Sequence, residues 1–290
     1  MSPDIKFWTG NKKRGQDMRY NLKEAVKADS KGGIKQHKEY QKSLFKQKYD
    51  KLKEYQFPKV DDINMNRFFC FPKFDKSFFM SLPSLAIYPV LCLQSDYEDN
   101  KWFQISQTNI AKMAGINVDT VTKGIKGLEE LYLGKERFLE KDKISDGQRH
   151  FNVYRVNFIR KNDIEESRGK YFTFHKCIVE SGVWAELKPR AKALYLSMRM
   201  KARIEIELYA EIEDLDIEYE SSDALIFYHS DEYRNRKWDV CNRTLVELCK
   251  NVGISAVNLK PVLKQLENHR LIERIDDSKS IFKVYTKPRI

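Results

Sequence analysis

The chain has 290 residues, a formal net charge of +11 and a hydrophobic fraction of 41%. This length suits two domains of ordinary size and a tail, and the excess of positive charge favours a polyanionic partner. The longest apolar run, residues 85–93, is too short to span a bilayer, and no secretory hydrophobic stretch is found at the N-terminus. We therefore expect a cytoplasmic protein without a membrane partner.

Residues 1–60 are predicted to form a basic arm. They contain 16 Lys/Arg and 7 Asp/Glu, which gives a local charge of +9. Few apolar residues precede residue 35, so we expect this first part to be flexible. Aromatic and leucine residues then recur at helical spacing, which predicts an amphipathic helix near 36–56. Contact with the DNA backbone, packing on the first domain and a subunit contact are open roles for this helix.

A helix-turn-helix-like motif occurs twice, at a single offset of 138 residues. Ser106 and Thr244 are predicted N-caps, and Gly115 and Gly253 are predicted left-handed helix ends. Apolar residues spaced four and three apart line one face of the next helix in each copy: Val121, Ile125 and Leu128, then Leu259, Leu263 and Leu266. Two copies in register indicate a duplicated unit.

Matching elements flank both copies. Residues 86–88 and 193–195 predict first helices, and Lys-Trp pairs at 101 and 237 precede short strands. A Phe-x-Val-Tyr sequence at 151 and again at 282 predicts the last strand of a hairpin in each copy. The order of helix, strand, helix, turn, helix and hairpin resembles a winged helix-turn-helix domain. The fold class implied is α+β, mainly α, with two tandem domains at 61–168 and 169–290 behind the basic N-terminal arm.

An acidic insertion at 205–232 interrupts the second domain. It holds 11 Asp/Glu and no Lys or Arg, and the offsets of 107 before it and 138 after it imply about 31 extra residues. We hypothesise that this segment faces away from DNA, binds a basic protein surface or masks one. A solvated surface elaboration is the alternative.

Pro261 affects where the third helix of the second domain starts. Proline is tolerated in the first turn of a helix and kinks its interior. We therefore favour a start after Asn258 over one after Ser255.

The sequence lacks the usual motifs of enzymes. No phosphate-binding loop is present, the five histidines are isolated, and no Cys/His cluster has zinc-site spacing. The five cysteines are scattered, which is typical of buried free thiols. We expect a binding protein rather than an enzyme, with no cofactor and no metal.

Resemblance to winged helices implies how DNA would be held. The third helix enters the major groove and the hairpin contacts an adjacent groove or the backbone. Thr and Lys reach base edges or phosphates, Arg at a hairpin tip suits the minor groove, and Asn or Gln pairs with adenine. The predicted DNA-binding residues of the first domain are Thr120, Thr122, Lys123 and Lys126 on its third helix and Lys141, Lys143 and Arg149 on its hairpin. Those of the second domain are Asn258, Lys260, Lys264 and Gln265 on its third helix. Because the second hairpin is partly acidic, we expect the first domain to make more of the phosphate contacts.

Two such domains with a basic arm resemble the replication initiator proteins of plasmids and mobile elements. This resemblance implies sequence-specific binding of double-stranded DNA at repeated origin sites, recruitment of replication proteins and self-association as a dimer. A transcriptional regulator and a non-enzymatic accessory subunit of a nucleoprotein complex are the alternatives.

Overall fold

The computed structural model describes residues 54–73, 80–95, 102–133, 136–145, 150–157, 171–203, 236–255, 257, 259–276 and 281–289. Residues 1–53 of the predicted arm and the whole acidic insertion lie outside these ranges, as do Arg149 and Asn258. Residues 54–56, the end of the predicted amphipathic helix, have no regular secondary structure.

The described chain is a mixed fold of eight α-helices and small antiparallel sheets. After a 3-10 turn at Val60–Asp62, its elements in chain order are β1 (Phe68–Pro72), α1 (Leu82–Gln94), β2 (Phe103–Gln104), α2 (Gln107–Ala114), α3 (Val118–Glu129), β3 (Tyr132–Leu133), β4 (Glu136–Arg137), β5 (Leu139–Ser145), β6 (His150–Val156), β7 (Tyr171–His175), α4 (Cys177–Glu180), α5 (Val183–Glu186), α6 (Pro189–Lys201), β8 (Trp238–Cys241), α7 (Leu245–Asn251), α8 (Leu259–Asn268), β9 (Ile272–Asp276) and β10 (Ile281–Tyr285).

Two 13-residue helices, α1 and α6, form the centre of the fold. Pro189 begins α6 at the predicted offset of 107 residues from Leu82, which begins α1. Each helix starts with proline in its first turn, where the missing N–H costs nothing. Both helices are buried over most of their length, and they contact each other. They lack a polar face because other elements cover them on several sides.

The two predicted helix-turn-helix stretches are confirmed as helix pairs, α2–α3 and α7–α8. The side chains of Ser106 and Thr244 accept capping hydrogen bonds from backbone N–H groups three residues on. Gly115 and Gly253 have φ of 60° and 63°, in the left-handed region that glycine adopts without cost. The same 3.0 Å bond closes both turns, from Ile116 N to Ala111 O and from Ile254 N to Cys249 O.

Both helix pairs are followed by hairpins that join an upstream strand in the same order. The two three-stranded sheets are β2-β6-β5 and β8-β10-β9. Tyr154 lies opposite Phe103, and Tyr285 lies opposite Trp238. The strand register therefore matches Trp238 with Phe103, one residue beyond the tryptophan that the sequence comparison aligned. The short pair β3–β4 occurs only between α3 and β5, because α8 leads to β9 after three described residues.

Helix α8 begins at Leu259, so Pro261 falls in its first turn. This confirms the later of the two starts that the sequence allowed. The proline displaces no hydrogen bond there, because the first N–H groups of a helix have no partner within it.

An additional sheet links the two repeats. Strand β1 pairs with β7 in antiparallel register from Phe68 opposite His175 to Pro72 opposite Tyr171. The short helices α4 and α5 follow β7 and precede α6. One continuous cluster of buried apolar side chains contains residues of both repeats, from Ile63 to Val284.

All five cysteines are free and buried, as predicted. Burial raises the pKa of Cys177 to about 12, so this sulfur stays a thiol at neutral pH. Within the described ranges, no group of three or more His, Cys, Asp or Glu side chains is placed to hold a metal ion. Among these same residues, none of the helices has the length and apolar character needed to cross a bilayer.

Candidate nucleic-acid interface

The candidate interface in the first repeat is the outer face of α3. Asn117 caps this helix by accepting a hydrogen bond from the backbone N–H of Thr120 at 2.8 Å. Lys123 and Lys126 lie on the exposed face, while Val121, Ile125 and Leu128 are buried on the opposite face. The structure therefore turns both predicted lysines toward solvent.

Two glycines hold α3 close to α1. A Cβ atom at Gly124 would lie 2.8 Å from the carbonyl oxygen of Pro83, and one at Gly127 would lie 2.6 Å from Oγ of Ser84. The Ser84 hydroxyl also donates to the Gly124 carbonyl at 3.2 Å. This close crossing fixes the rotation of α3 and, with it, the direction of the exposed lysines.

The predicted threonines of α3 differ in their surroundings. Thr122 is exposed, and its hydroxyl donates to the backbone carbonyl of Val118 at 3.2 Å, with the side-chain oxygen of Gln107 at 3.4 Å as a second acceptor for the same hydrogen. This bond to the preceding turn is a common choice for threonine inside a helix. Thr120 is half-buried, and its backbone N–H is occupied by the cap.

Strands β5 and β6 place the predicted hairpin lysines beside α3. Because side chains alternate along a strand, Lys141 and Lys143 share the face that carries Leu139. Leu139 is fully buried, and β5 contacts α3, so this face is turned toward the body of the domain. Lys141 is half-buried and Lys143 is exposed. Neither lysine pairs with an acidic side chain among the described residues.

The second repeat presents α8 in the corresponding place. Lys260 and Lys264 are exposed and make no ion pair within the described ranges. Val262, Leu263 and Leu266 are buried against the core. Helix α8 therefore also presents a lysine face to solvent.

Gln265 is placed differently from the other predicted residues of α8. Its side-chain oxygen accepts from the backbone N–H of Lys188 at 3.2 Å, and its amide nitrogen donates to the carbonyl of Glu186 at 3.1 Å. Both polar atoms of the amide are thus hydrogen-bonded to the segment between α5 and α6. Recognition of adenine by Gln265 remains a prediction, and its hydrogen bonds point to a role in connecting elements.

Helix α5 connects the two helix pairs. The Ala185 carbonyl packs on the turn at Gly115, and the next residue, Glu186, accepts from Gln265 and lies 3.4 Å from Nδ1 of His269. Trp184 anchors α5 from the other side, because its indole N–H donates to the Ala86 carbonyl in α1 at 2.8 Å. A four-residue helix thus contacts the turn of the first pair and the third helix of the second.

Charge on the α3 face is mixed rather than uniformly positive. Asp119 and Glu130 are exposed beside the lysines, and Lys126 lies 3.9 Å from Glu130 with 80% of its side chain exposed. Such exposed pairs are worth little, about 0–1 kcal/mol. Lys126 is therefore available to a stronger anionic partner.

Two exposed valines near the lysines were not predicted from the sequence. Val118, the first residue of α3, is 40% exposed, and Val257, just before α8, is 90% exposed. For Val257 the signal was available, because it precedes α8 and does not fit the spacing of Leu259, Leu263 and Leu266, whereas Val118 continues the spacing of the α3 stripe and gave no such signal. Apolar side chains in this position suit the methyl group of thymine.

No family model, curated protein or solved structure matches this chain.

Proposed function

We propose that the chain is a sequence-specific double-stranded DNA-binding protein whose two repeats are winged-helix domains. The observation that carries this proposal is the repeated order of helix, strand, helix, turn, helix and hairpin, in which α3 and α8 each present lysines to solvent. Helices of this kind enter the major groove in winged-helix proteins. In the proposed complex α3 and α8 are the two recognition helices.

Phosphate contacts are assigned to lysines that have no acidic partner among the described residues. Lys123 on α3 and Lys260 and Lys264 on α8 are long, exposed cations that neutralise backbone phosphates. Lys143 on the hairpin extends this surface toward an adjacent groove. Base contacts are assigned to Thr122 and to the exposed valines, which lie beside these lysines at the helix starts.

A replication initiator is the role we propose for this DNA binding. The connection through α5 supports it, because contacts to both Gly115 and Gln265 fix one helix pair relative to the other. Two different helix pairs held at a fixed distance suit a long asymmetric DNA site that is repeated in direct orientation. A transcriptional regulator usually binds a palindrome as a two-fold symmetric dimer instead.

The DNA contact is tested by removing charge from α3. The variant K123Q/K126Q should bind a selected duplex more weakly, and the slope of log affinity against log salt should fall by about 1–2, near 0.9 for each lost phosphate contact. The matched control K59Q/R137Q removes two charges from exposed residues that lie on neither α3 nor the β5–β6 hairpin. Fluorescence anisotropy from about 50 to 200 mM salt measures both quantities. An unchanged slope in K123Q/K126Q would refute the assignment of α3.

The initiator role is tested separately on DNA from beside the protein's own gene. Footprints over several directly repeated sites, together with permanganate-reactive unpaired bases next to them, are expected. A single protected palindrome without strand opening would favour a regulator. Absence of sequence preference at any salt concentration would favour a docking subunit and contradict the proposal.

A further inference from the structure

A cavity of about 290 Å³ opens where α6 ends, and three of the five described residues that line it are basic. It is lined by Lys201, Arg203, Val240, Asn242 and Arg243. Two backbone hydrogen bonds, of 2.8 and 2.7 Å, join Arg203 to Val240 and hold the α6 end against β8. The backbone of Arg203 on one side of the cavity is therefore tied to β8 on the other.

The cations around this cavity have no acidic partner in the part of the chain that the structure describes. Lys201, Arg203 and Arg243 take part in none of its ion pairs. Glu247 on α7 is close enough to act on the Cys241 thiol, but it forms no ion pair with Arg243. Like charges converge here at an electrostatic cost, which a bound anion would relieve.

Lys73, which follows β1, adds a fourth cation. Partial burial lowers the pKa of Lys73, and the nearby charges of Lys201 and Arg203 lower it further. The neighbouring buried charges do not offset this excess. Asp239 is already held by Arg199 at 2.7 Å and by Arg236 at 2.5 Å.

The helix dipole accounts for only one of the basic residues that line the cavity. Lys201 lies in the last turn of α6, where a cation is favoured by the helix dipole. Arg203 and Arg243 lie outside the helices. By the repeat offsets, the first domain has Gln94 in place of Lys201 and Ile105 in place of Arg243. Lys201 and Arg243 thus have no basic counterpart at the aligned positions of the first repeat.

We propose that this cavity is a binding site for a phosphate group, held by Lys201, Arg203 and Arg243. Arginine presents a planar fork of N–H donors that matches phosphate oxygens, and lysine adds a point charge. The volume lies near the lower limit of about 300 Å³ for small-molecule pockets, which suits a phosphate and part of the group that carries it. The phosphate comes either from a nucleic-acid backbone or from a free nucleotide, since both present the same oxyanion. The site does not depend on α3 or α8, so it stands apart from the proposed recognition helices.

Calorimetric titration of pyrophosphate into the full chain at low salt tests the site. Saturable binding of one equivalent is expected, and K201Q/R203Q should weaken it at least about tenfold, because charge-assisted hydrogen bonds are lost. The control K59Q/R137Q makes the same change of charge at exposed positions away from the cavity and should stay within about twofold of the wild type. Arg243→Gln provides a second variant. Arg243 lies between β8 and α7, so this substitution falls outside the helices and strands.

Each outcome either supports or overturns the proposed phosphate site. No saturable binding by the wild type overturns the proposal. This holds whatever the cause, including neutralisation of the cations by the acidic residues at 205–232. Equal weakening by K201Q/R203Q and by the control overturns it too, because the effect would then be one of net charge. If pyrophosphate binds and duplex DNA displaces it, the phosphate comes from nucleic acid. If ATP displaces it and duplex DNA does not, the phosphate comes from a nucleotide.

Discussion

The backbone carbonyl of Ala185 occupies the space that a side chain at Gly115 would need. A Cβ atom at Gly115 would lie 1.7 Å from that oxygen. The same glycine has a φ of 60°, so two independent constraints meet at the turn of the first helix pair. Helix α5 is thereby seated directly on the turn that orients α3.

Gly115→Ala should therefore cost more stability than its backbone conformation alone explains. Gly182→Ala is the matched control, because Gly182 also has a positive φ of 85° while its nearest neighbour, the Phe57 ring, lies at an ordinary 3.6 Å. We expect the control to lose about 1–2 kcal/mol of unfolding free energy, and Gly115→Ala to lose roughly 1–3 kcal/mol more through the steric overlap. Urea unfolding followed by circular dichroism measures both. Equal losses would show that α5 moves away at no cost.

Local signals in the sequence predicted the helix pairs well. Caps at Ser106 and Thr244 and left-handed turns at Gly115 and Gly253 depend on residues a few positions away, so the sequence contains all that is needed. The repeat offset also predicted α1 and α6 as counterparts.

Long-range contacts were not predictable in the same way. The pairing of β1 with β7 joins segments about 100 residues apart, and no local pattern specifies which strands meet. The hydrogen bonds of Gln265 and the convergence of Arg203 with Arg243 likewise depend on how distant segments pack. The sequence therefore predicted which faces carry lysines, but not the bridge between the repeats or the basic cavity.

Asp239→Asn should be strongly destabilising. Asp239 is 4% exposed and pairs with Arg199, which is also 4% exposed, at 2.7 Å. Burial alone raises the pKa of Asp239, but the two guanidinium groups outweigh it and hold the pKa below its usual value. Removing the carboxylate charge leaves Arg199 buried without a counter-ion, which typically costs about 3–5 kcal/mol.

The control for this change is Glu54→Gln. Glu54 pairs with Lys112 at 2.6 Å, but its side chain is 75% exposed. Its loss should have little effect on stability, because water and salt screen an exposed ion pair. Guanidinium unfolding of both variants gives the comparison, and a small effect of Asp239→Asn would mean that water reaches Arg199.

His175 should make the fold sensitive to mild acid. Burial lowers the pKa of His175 to about 4, assisted by the charges of Lys287 and Arg199 and opposed by a hydrogen bond to the Met65 carbonyl. Between this value and the usual 6.5, the unfolded chain binds a proton that the folded chain does not. The unfolding free energy should therefore fall as pH drops through this window, by at most about 1.4 kcal/mol per pH unit.

His175→Gln removes this titration, whereas His150→Gln at an exposed strand position should leave it in place. Urea midpoints measured in steps from about pH 7 to 4 compare the slopes. Parallel curves for the wild type and His175→Gln would show that His175 titrates near its ordinary value in the folded protein.

Lys192 should make the unfolding free energy depend on pH in the alkaline range. Its side chain is fully buried on α6, its ammonium group donates to the Leu187 carbonyl, and it lies 5.6 Å from the centre of the Trp184 ring. Burial lowers the pKa of Lys192 from the usual 10.5 to about 7. Above this value the unfolded chain holds a proton that the folded chain lacks. The unfolding free energy should consequently rise with pH from about 7 upward, by at most about 1.4 kcal/mol per pH unit.

Lys192→Met keeps the apolar stem and removes the titrating group, so its stability should lose this rise. Lys188→Met, at an exposed position just before α6, should retain it. The difference in slope between variant and wild type isolates Lys192 from the cysteines and tyrosines, whose raised pKa values act at higher pH and with the opposite sign. Urea unfolding between about pH 7 and 8 is the measurement, chosen to lie below those titrations. If Lys192→Met follows the wild-type slope, the amine keeps its charge in the core, and Leu187 and Trp184 stabilise the ammonium enough to offset its burial.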